Sequence, residues 1–179
     1  MNPQTEIPSI NNLEYIPFLD QNGCLTEDLQ GKIGVYAIFN QEKELQFVGY
    51  SRDIYLSLKQ HLVRQPNHCY WLKVQTITRP SRTILEDIRQ TWIQENGLIP
   101  PGNGVDEAKW NQPIDAKLSM TEAEKEEYQK SEELAQIKLL KKIARRVEEE
   151  IIERLKARGV QVDIRFNPKL KEQGLLDLK

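Results

Sequence analysis

Two short runs of β-branched and aromatic residues constrain this chain more than any other feature. The first run spans Ile33–Phe39, the second spans Leu45–Tyr50, and the polar segment Asn40–Glu44 separates them. Runs of this composition favour β-strands, and a short polar link between two of them favours an antiparallel hairpin. The sequence therefore predicts a β-hairpin in the N-terminal half of the chain.

The residues after the hairpin predict helices alternating with a further strand. Ile54, Leu58 and Leu62 recur every fourth residue, so residues 52–64 are expected to form an amphipathic helix with Ser51 as its N-cap. Tyr70–Ile77 is expected to be a third strand. A second helix should follow from Pro80–Ser81 to about Asn96, where Gly97 stops it. The fold class predicted is α+β, with a small antiparallel sheet flanked by helices.

The C-terminal part of the chain changes character. Residues 97–119 are rich in glycine and proline and are expected to form a long loop or linker. Residues 121–158 carry an apolar stripe at 3-4 spacing among charged residues, which predicts one long amphipathic helix. Val160–Phe166 alternates enough to suggest a short strand. The domain boundaries expected are 1–30 for an N-terminal extension, 31–104 for the sheet domain, 105–120 for a linker, and 121–179 for the long helix and tail.

Composition bounds the function. The formal net charge is −2 and the pI about 5.8, which argues mildly against nucleic-acid binding by bulk electrostatics, although residues 31–104 carry a charge of +3. No apolar run approaches the roughly 20 residues that a membrane helix needs. The polar N-terminus does not look like a targeting signal, and two cysteines without metal-type spacing favour a reduced, cytoplasmic setting.

A series of motifs lies on these predicted elements. Gly34-Val35-Tyr36 and Phe47-Val48-Gly49 fall in the two hairpin strands, and they are followed in order by His61, Glu86 and Asn103. This order resembles the GIY-YIG nuclease family, over roughly residues 31–104. The resemblance implies the small antiparallel sheet of that family. It also implies phosphodiester hydrolysis at one divalent metal, Mg²⁺ or Mn²⁺.

The resemblance assigns roles to individual residues. Tyr36, His61 and Glu86 match the family's catalytic positions, with Glu86 as the metal ligand. Ser57 stands where the family has its catalytic arginine, and Phe47 stands where it has a second tyrosine. Loss of one electrostatic stabiliser of this kind typically costs 10²–10³ in rate. The resemblance therefore implies a member that is catalytically degenerate or slow.

Each of these residues also has a plain structural interpretation. Tyr36 is equally suited to be a strand aromatic, and His61 a half-buried helix residue. Glu86 fits a capping box with Thr83, and it fits exposed ion pairs with Arg82 or Arg89. The sequence leaves these alternatives open.

Phosphate contacts are expected from basic and amide side chains of the sheet domain. The candidates are Arg52, Lys59, Arg64, Arg82, Arg89 and Asn103.

Three functions follow as hypotheses. The first is a degenerate nuclease-like module that binds DNA or RNA or serves as a scaffold. The second is a slow metal-dependent endonuclease. The third is an assembly factor that captures a protein partner, or a second copy of the chain, through the helix of residues 121–158.

Overall fold

The computed structural model describes residues 7–179. The polar segment 1–6, which begins the predicted N-terminal extension, lies outside the described residues. The described chain divides into two compact units, the first ending at Asn111 and the second spanning Gln112–Lys179. The domain boundaries proposed from the sequence stay a prediction beside this division.

The first unit is built on a four-stranded antiparallel sheet. Its strands are β1 (Ile16–Pro17), β2 (Ile33–Phe39), β3 (Leu45–Ser51) and β4 (Trp71–Ile77), in the spatial order β1-β4-β2-β3. Its helices are α1 (Ile54–Arg64), α2 (Arg82–Asn96) and α3 (Glu107–Asn111), with three-residue 3₁₀ turns at Ile10–Asn12, Glu27–Leu29 and Pro101–Asn103. The predicted α+β class, the hairpin and the antiparallel sheet with flanking helices are confirmed.

The sheet is covered on both faces, which explains why its strands are apolar throughout. Val35, Ala37 and Phe39 of β2 pack with Leu85 and Trp92 of α2. The alternate residues of β2 point to the opposite face, where the ring of Tyr36 contacts α1. Because β2 is central and buried on both sides, its residues from Gly34 to Phe39 are all buried.

The helices begin where local hydrogen bonding favours it. Asp53, and not the predicted Ser51, caps α1, since its carboxylate accepts from the backbone N–H of Leu56. Ser81 caps α2 by accepting from the N–H of Ile84, and Gly97 ends this helix in the left-handed conformation with a φ of 82°. The predicted bounds of both helices were therefore close to those observed.

The second unit contains most of the differences from the sequence prediction. Its elements are β5 (Ile114–Asp115), a 3₁₀ turn at Ala116–Ser119, α4 (Glu122–Lys130), α5 (Glu133–Ala157), α6 (Pro168–Lys171) and β6 (Leu175–Leu176). β5 and β6 pair antiparallel. The expectation that 97–119 is a loop throughout was wrong, because this segment contains α3, β5 and two 3₁₀ turns.

The single helix predicted over residues 121–158 is two helices. Ser131 adopts an extended conformation, with φ −89° and ψ 148°, and its hydroxyl donates to the carbonyl of Glu127. The amide of Gln136 then bonds to the carbonyl of Tyr128, so side chains satisfy the carbonyls left open at the break. The apolar stripe continues through α5, where Ile143, Ala144 and further residues at the same spacing are buried.

The strand suggested for Val160–Phe166 is absent from the structure. Only an isolated bridge forms there, between Phe166 and Leu178. Within residues 7–179 no helix has both the length and the apolar character needed to cross a membrane.

Candidate functional site: an arginine-lined groove beside an aromatic cluster

The two glycine-containing motifs meet at a cluster of four rings. The Tyr36 hydroxyl lies 2.8 Å from Nε2 of His61, and the ring of Phe47 lies 4.6 Å from the His61 ring between centroids. Phe47 also stacks on Trp110, with centroids 5.3 Å apart and planes 4° from parallel. The structure thus brings together Tyr36, His61 and Phe47, the residue that the GIY-YIG resemblance aligns with a second tyrosine.

Gly49 is required by this cluster. A Cβ atom at this position would lie 2.5 Å from Cε1 of Phe47 and 2.9 Å from the Tyr36 hydroxyl. Phe47 cannot move aside easily, because Trp110 and His61 pack against it. The glycine of the second motif therefore serves close packing of the strand against the rings.

Burial holds both polar members of the cluster in their neutral forms. Tyr36 and His61 are 3% and 4% exposed. Burial, aided by the nearby positive charge of Arg64, lowers the pKa of His61 to about 3, and burial raises the pKa of Tyr36. At neutral pH the pair is an uncharged hydrogen bond, in which either group donates according to the histidine tautomer.

Ser57, which the GIY-YIG resemblance aligns with an arginine, is part of a local network of hydroxyl groups. Its Oγ lies 2.7 Å from Oγ of Ser51, which in turn accepts from the backbone N–H of Asp53. This network connects the end of β3 to the first turn of α1. Ser57 thus has a structural partner and brings no charge to the site.

Glu86 is paired with Arg89. Nε of Arg89 donates to Oε2 of Glu86 at 3.1 Å, and Nη2 of Arg89 donates to Oε1. The side-chain amide of Gln90 also donates to Oε1. These hydrogen bonds, those of Arg89 foremost, lower the pKa of Glu86 to about 2. The capping box with Thr83 is wrong, because Ser81 caps α2; of the two ion pairs considered, the structure forms the one with Arg89.

The metal predicted at Glu86 does not fit the arrangement found. Both carboxylate oxygens accept from Arg89, and no three His, Cys, Asp or Glu side chains cluster as a metal site among residues 7–179. A Mg²⁺ or Mn²⁺ ion at Glu86 would have to displace the guanidinium. The metal stays a prediction.

Two cavities share Tyr50 as a wall. One, of about 270 Å³, is bounded by Tyr36, Gly49, Tyr50 and Arg89, with Glu107 and Asn111 at its polar side. The other, of about 360 Å³, is bounded by Tyr50, Arg52 and Arg82. We call the two together the arginine groove, defined by Tyr50, Arg52, Arg82 and Arg89.

The charge of the arginine groove differs between its two halves. Among the described residues, none that lines the 360 Å³ cavity is acidic, and Arg52 and Arg82 are both exposed. Arg82 is the first residue of α2, so the positive end of that helix adds to the charge. In the other half, Arg89 lies with its guanidinium carbon 5.9 Å from the Tyr50 ring centroid and is balanced by Glu86.

The other predicted contact residues lie elsewhere or are committed to the fold. Asn103 accepts from the N–H of Val48 and donates to its carbonyl, both at 2.8 Å. Arg64 donates to the carbonyl of Trp110 at 2.9 Å. Lys59 is half-buried on α1 and lines neither cavity.

Sequence reasoning missed Tyr50 and Trp110. Tyr50 is the last residue of the second strand as predicted from the sequence. Its pairing with Val35 places it on the α2 face of the sheet, so strand alternation could have identified it. Trp110 lies in a five-residue helix after a proline-rich stretch, where no periodicity marks it.

Comparison with known proteins gives one partial likeness. No family model matches the chain. A curated protein from Arabidopsis thaliana, named bifunctional monothiol glutaredoxin-S16, chloroplastic, is 33% identical over 101 residues, which cover 54% of this chain. The chain spans about a third of the length of that relative. The name gives the relative two functions and does not say which of them belongs to the matched third.

This comparison contradicts the resemblance drawn from the motifs. The relative is named as a glutaredoxin, and no family model supports a GIY-YIG assignment. The predictions of a GIY-YIG nuclease-like protein, and of an endonuclease or a pseudoenzyme, are therefore wrong. DNA or RNA as a binding partner is a separate prediction, which the comparison does not test. The geometry of the site stands independently of that assignment.

Proposed function

We propose that the first unit is a binding domain for ligands that carry phosphate groups, and that the arginine groove is its binding site. The observation that carries the proposal is that Tyr50 lines one cavity with Arg52 and Arg82 and another with Arg89, whose guanidinium lies over the Tyr50 ring. Planar guanidinium groups pair well with phosphate oxygens, and an aromatic face beside them suits a base or another flat group. DNA and RNA are the partners predicted from the sequence, and both carry this chemistry.

The two cavities suggest a division of labour. Arg52, Arg82 and the start of α2 supply positive charge in one cavity, and no acidic residue of the described part of the chain lines it. In the other cavity, Arg89 is paired with Glu86, so it would orient a ligand by hydrogen bonding and add little net charge. A phosphate would therefore bind first between Arg52 and Arg82, with the attached group towards Tyr50 and the smaller cavity. Binding alone is proposed; no cleavage step is.

The name of the relative includes the word glutaredoxin, which suggests thiol chemistry. The positions of the two cysteines in the structure give this function less support. A reactive cysteine needs an accessible thiolate. Cys69 is 0% exposed, and its Sγ lies 3.6 Å from the carbonyl of His61. Cys24 is half-buried in a turn, with Sγ 3.8 Å from the carbonyl of Asn22.

The remaining sequence predictions keep their status. Catalytic roles for Tyr36, His61 and Glu86 and a cytoplasmic location stay predictions. A protein partner or a second copy on the helices of residues 121–158 also stays a prediction. No observation strengthens it, because Ile143, Ala144 and most of the α5 stripe are already buried.

Fluorescence anisotropy with labelled 12-nucleotide single-stranded DNA and RNA tests the proposal. We expect Arg52→Ala/Arg82→Ala to weaken binding about a hundredfold or more, because each of the two lost charged hydrogen bonds is worth roughly 1.5–3 kcal/mol. Lys125→Ala/Lys130→Ala is the matched control, since it removes the same charge from exposed positions of the second unit. Equal affinities for both double variants would contradict the proposal.

Competition in the same assay identifies the source of the phosphate. Displacement of the oligonucleotide by pyrophosphate or a mononucleotide at similar concentrations would indicate a small phosphate ligand. Displacement only by another oligonucleotide would indicate a nucleic-acid strand. The absence of binding by any of these probes would overturn the proposal.

A further inference from the structure

The first unit has a further cavity, which shares no lining residue with the arginine groove. It has a volume of about 680 Å³, within the range of roughly 300–1,000 Å³ common for small-molecule sites. The hairpin turn at Lys43–Gln46, the segment around Ile10 and Tyr15, and the loop Leu98–Pro101 bound it. None of these residues belongs to the site described above.

Two lysines converge on one ring in this cavity. Nζ of Lys73 lies 4.2 Å from the centroid of Tyr15, and Nζ of Lys43 lies 4.8 Å from the same centroid. The ring attracts both ammonium groups, but it cannot neutralise them. Two like charges are therefore held close together at the wall of a cavity.

Lys73 is buried, and it has no acidic partner among residues 7–179. Its residue is 5% exposed, and its ammonium group donates to the carbonyl of Ile10 at 2.8 Å. Burial and the neighbouring charge of Lys43 lower its pKa. Buried lysines are normally paired with an acidic group, and an anionic ligand in the cavity would supply such a partner.

Lys43 is unusual in its backbone. It has a φ of 63°, and it is the sole non-glycine residue with positive φ within the described part of the chain. Glycine or asparagine is preferred in this conformation, and a lysine held there carries a local energetic cost. Such outliers collect at functional sites, and here the side chain reaches Tyr15 and Trp71.

The carboxylates of the cavity are already engaged by other donors. Glu44 accepts from the amide of Asn40. Glu95 accepts from the Ser9 hydroxyl and from the N–H of Ile10. Neither carboxylate has an ion pair with Lys43 or Lys73 among the described contacts.

Part of the cavity lining is apolar. Leu98 and Ile99 are 78% and 69% exposed, and Leu45 and Pro100 line the wall beside them. A ligand that satisfies both the lysines and this apolar part needs an anionic head and an apolar body.

We propose that this cavity binds a small organic anion, with its carboxylate or phosphate head between Lys43 and Lys73 and its apolar part against Leu98 and Ile99. The head would relieve the repulsion between the two ammonium groups. The apolar body would cover side chains that are otherwise in water. The site is independent of the arginine groove.

Isothermal titration with octanoate, octyl phosphate and octylamine tests the proposal on the full chain. We expect saturable binding of one or both anions and none of the amine. Binding of octanoate alone would assign a carboxylate, and binding of octyl phosphate alone a phosphate ester. Equal binding of the amine, or no binding of either anion, would overturn the proposal.

Lys43→Asn is the decisive variant. Asparagine tolerates the positive φ, so the turn is retained while the ammonium group is lost. We expect affinity for the anion to fall about tenfold, because one charge-assisted contact is removed. Lys73→Arg keeps the charge and is expected to retain binding. Lys32→Asn removes an exposed charge outside the cavity and serves as the matched control. Unchanged binding by Lys43→Asn would contradict the proposal.

Discussion

The hydroxyl of Tyr36 and Nε2 of His61 form a buried hydrogen bond of 2.8 Å that joins the central strand to helix α1. Its neutral state follows from burial, which lowers the pKa of His61 to about 3. The bond makes the stability of the first unit depend on pH in a defined direction.

We expect the first unit to lose stability below about pH 6.5, the ordinary histidine pKa. Between that pH and about 3, unfolded His61 binds a proton that the folded state does not bind. The stabilisation is therefore complete above pH 6.5 and declines as pH falls, by at most about 1.4 kcal/mol per pH unit. Urea unfolding at several pH values, followed by tryptophan fluorescence, measures it, since Trp71, Trp92 and Trp110 all lie in the first unit.

His61→Gln is the control for this pH dependence. Glutamine keeps a hydrogen-bonding side chain and does not titrate. Its free energy of unfolding should fall less steeply between pH 6.5 and 4 than that of the wild type. Identical slopes for the two proteins would show that His61 is not held neutral.

Gly49→Ala should destabilise the first unit by about 1–3 kcal/mol, the usual cost of overpacking a core. The added Cβ would meet Phe47 and Tyr36 at 2.5 and 2.9 Å. Urea unfolding measures the loss. A stable Gly49→Ala protein would mean that the aromatic cluster is looser than described.

Asn103→Ala should release the edge strand at Val48. The side chain of Asn103 bonds both the N–H and the carbonyl of Val48, so it acts as a short substitute for a neighbouring strand. We expect faster hydrogen exchange at the Val48 amide and a stability loss of about 1–3 kcal/mol. Asn103→Asp keeps the acceptor and should protect the amide better than alanine does. Unchanged exchange in the alanine variant would refute this role.

Divalent metal should bind Glu86 more tightly once Arg89 is removed. In the structure the guanidinium occupies both carboxylate oxygens. We therefore expect Arg89→Gln to increase Mn²⁺ affinity over the wild type in an electron paramagnetic resonance titration. Glu86→Gln/Arg89→Gln should lose the gain. If Arg89→Gln gave no increase, Glu86 would not be a metal ligand in this chain.

The sheet domain was predictable because its signals are local. The hairpin follows from two apolar runs and one polar turn, and α1 follows from Ile54, Leu58 and Leu62 at spacing four. These elements appear close to their expected bounds. The break in the C-terminal helix was not predicted, because a single serine does not mark a helix end in sequence. The break at Ser131 is accompanied by hydrogen bonds from its hydroxyl to the carbonyl of Glu127 and from the Gln136 amide to the carbonyl of Tyr128.

The site was only partly predictable, because the spacing of residues along the chain does not determine which side chains from different helices and strands form hydrogen bonds or ion pairs. Tyr36 and His61 were expected together and are hydrogen-bonded. The choice between Arg82 and Arg89 as partner of Glu86 depended on side-chain direction along α2, which sequence left open. Motif resemblance led to a family that the comparison with known proteins contradicts, which shows that motif order alone does not establish function.

The salt dependence of oligonucleotide binding tests the central proposal most directly. Each phosphate contact on a single strand contributes about 0.7 to the slope of log affinity against log salt concentration. If Arg52 and Arg82 hold one phosphate between them, Arg52→Ala/Arg82→Ala should lower the magnitude of this slope by about 0.7, while Lys125→Ala/Lys130→Ala should leave it unchanged. The same slope in the wild type and in the Arg52→Ala/Arg82→Ala variant would contradict phosphate binding in the arginine groove.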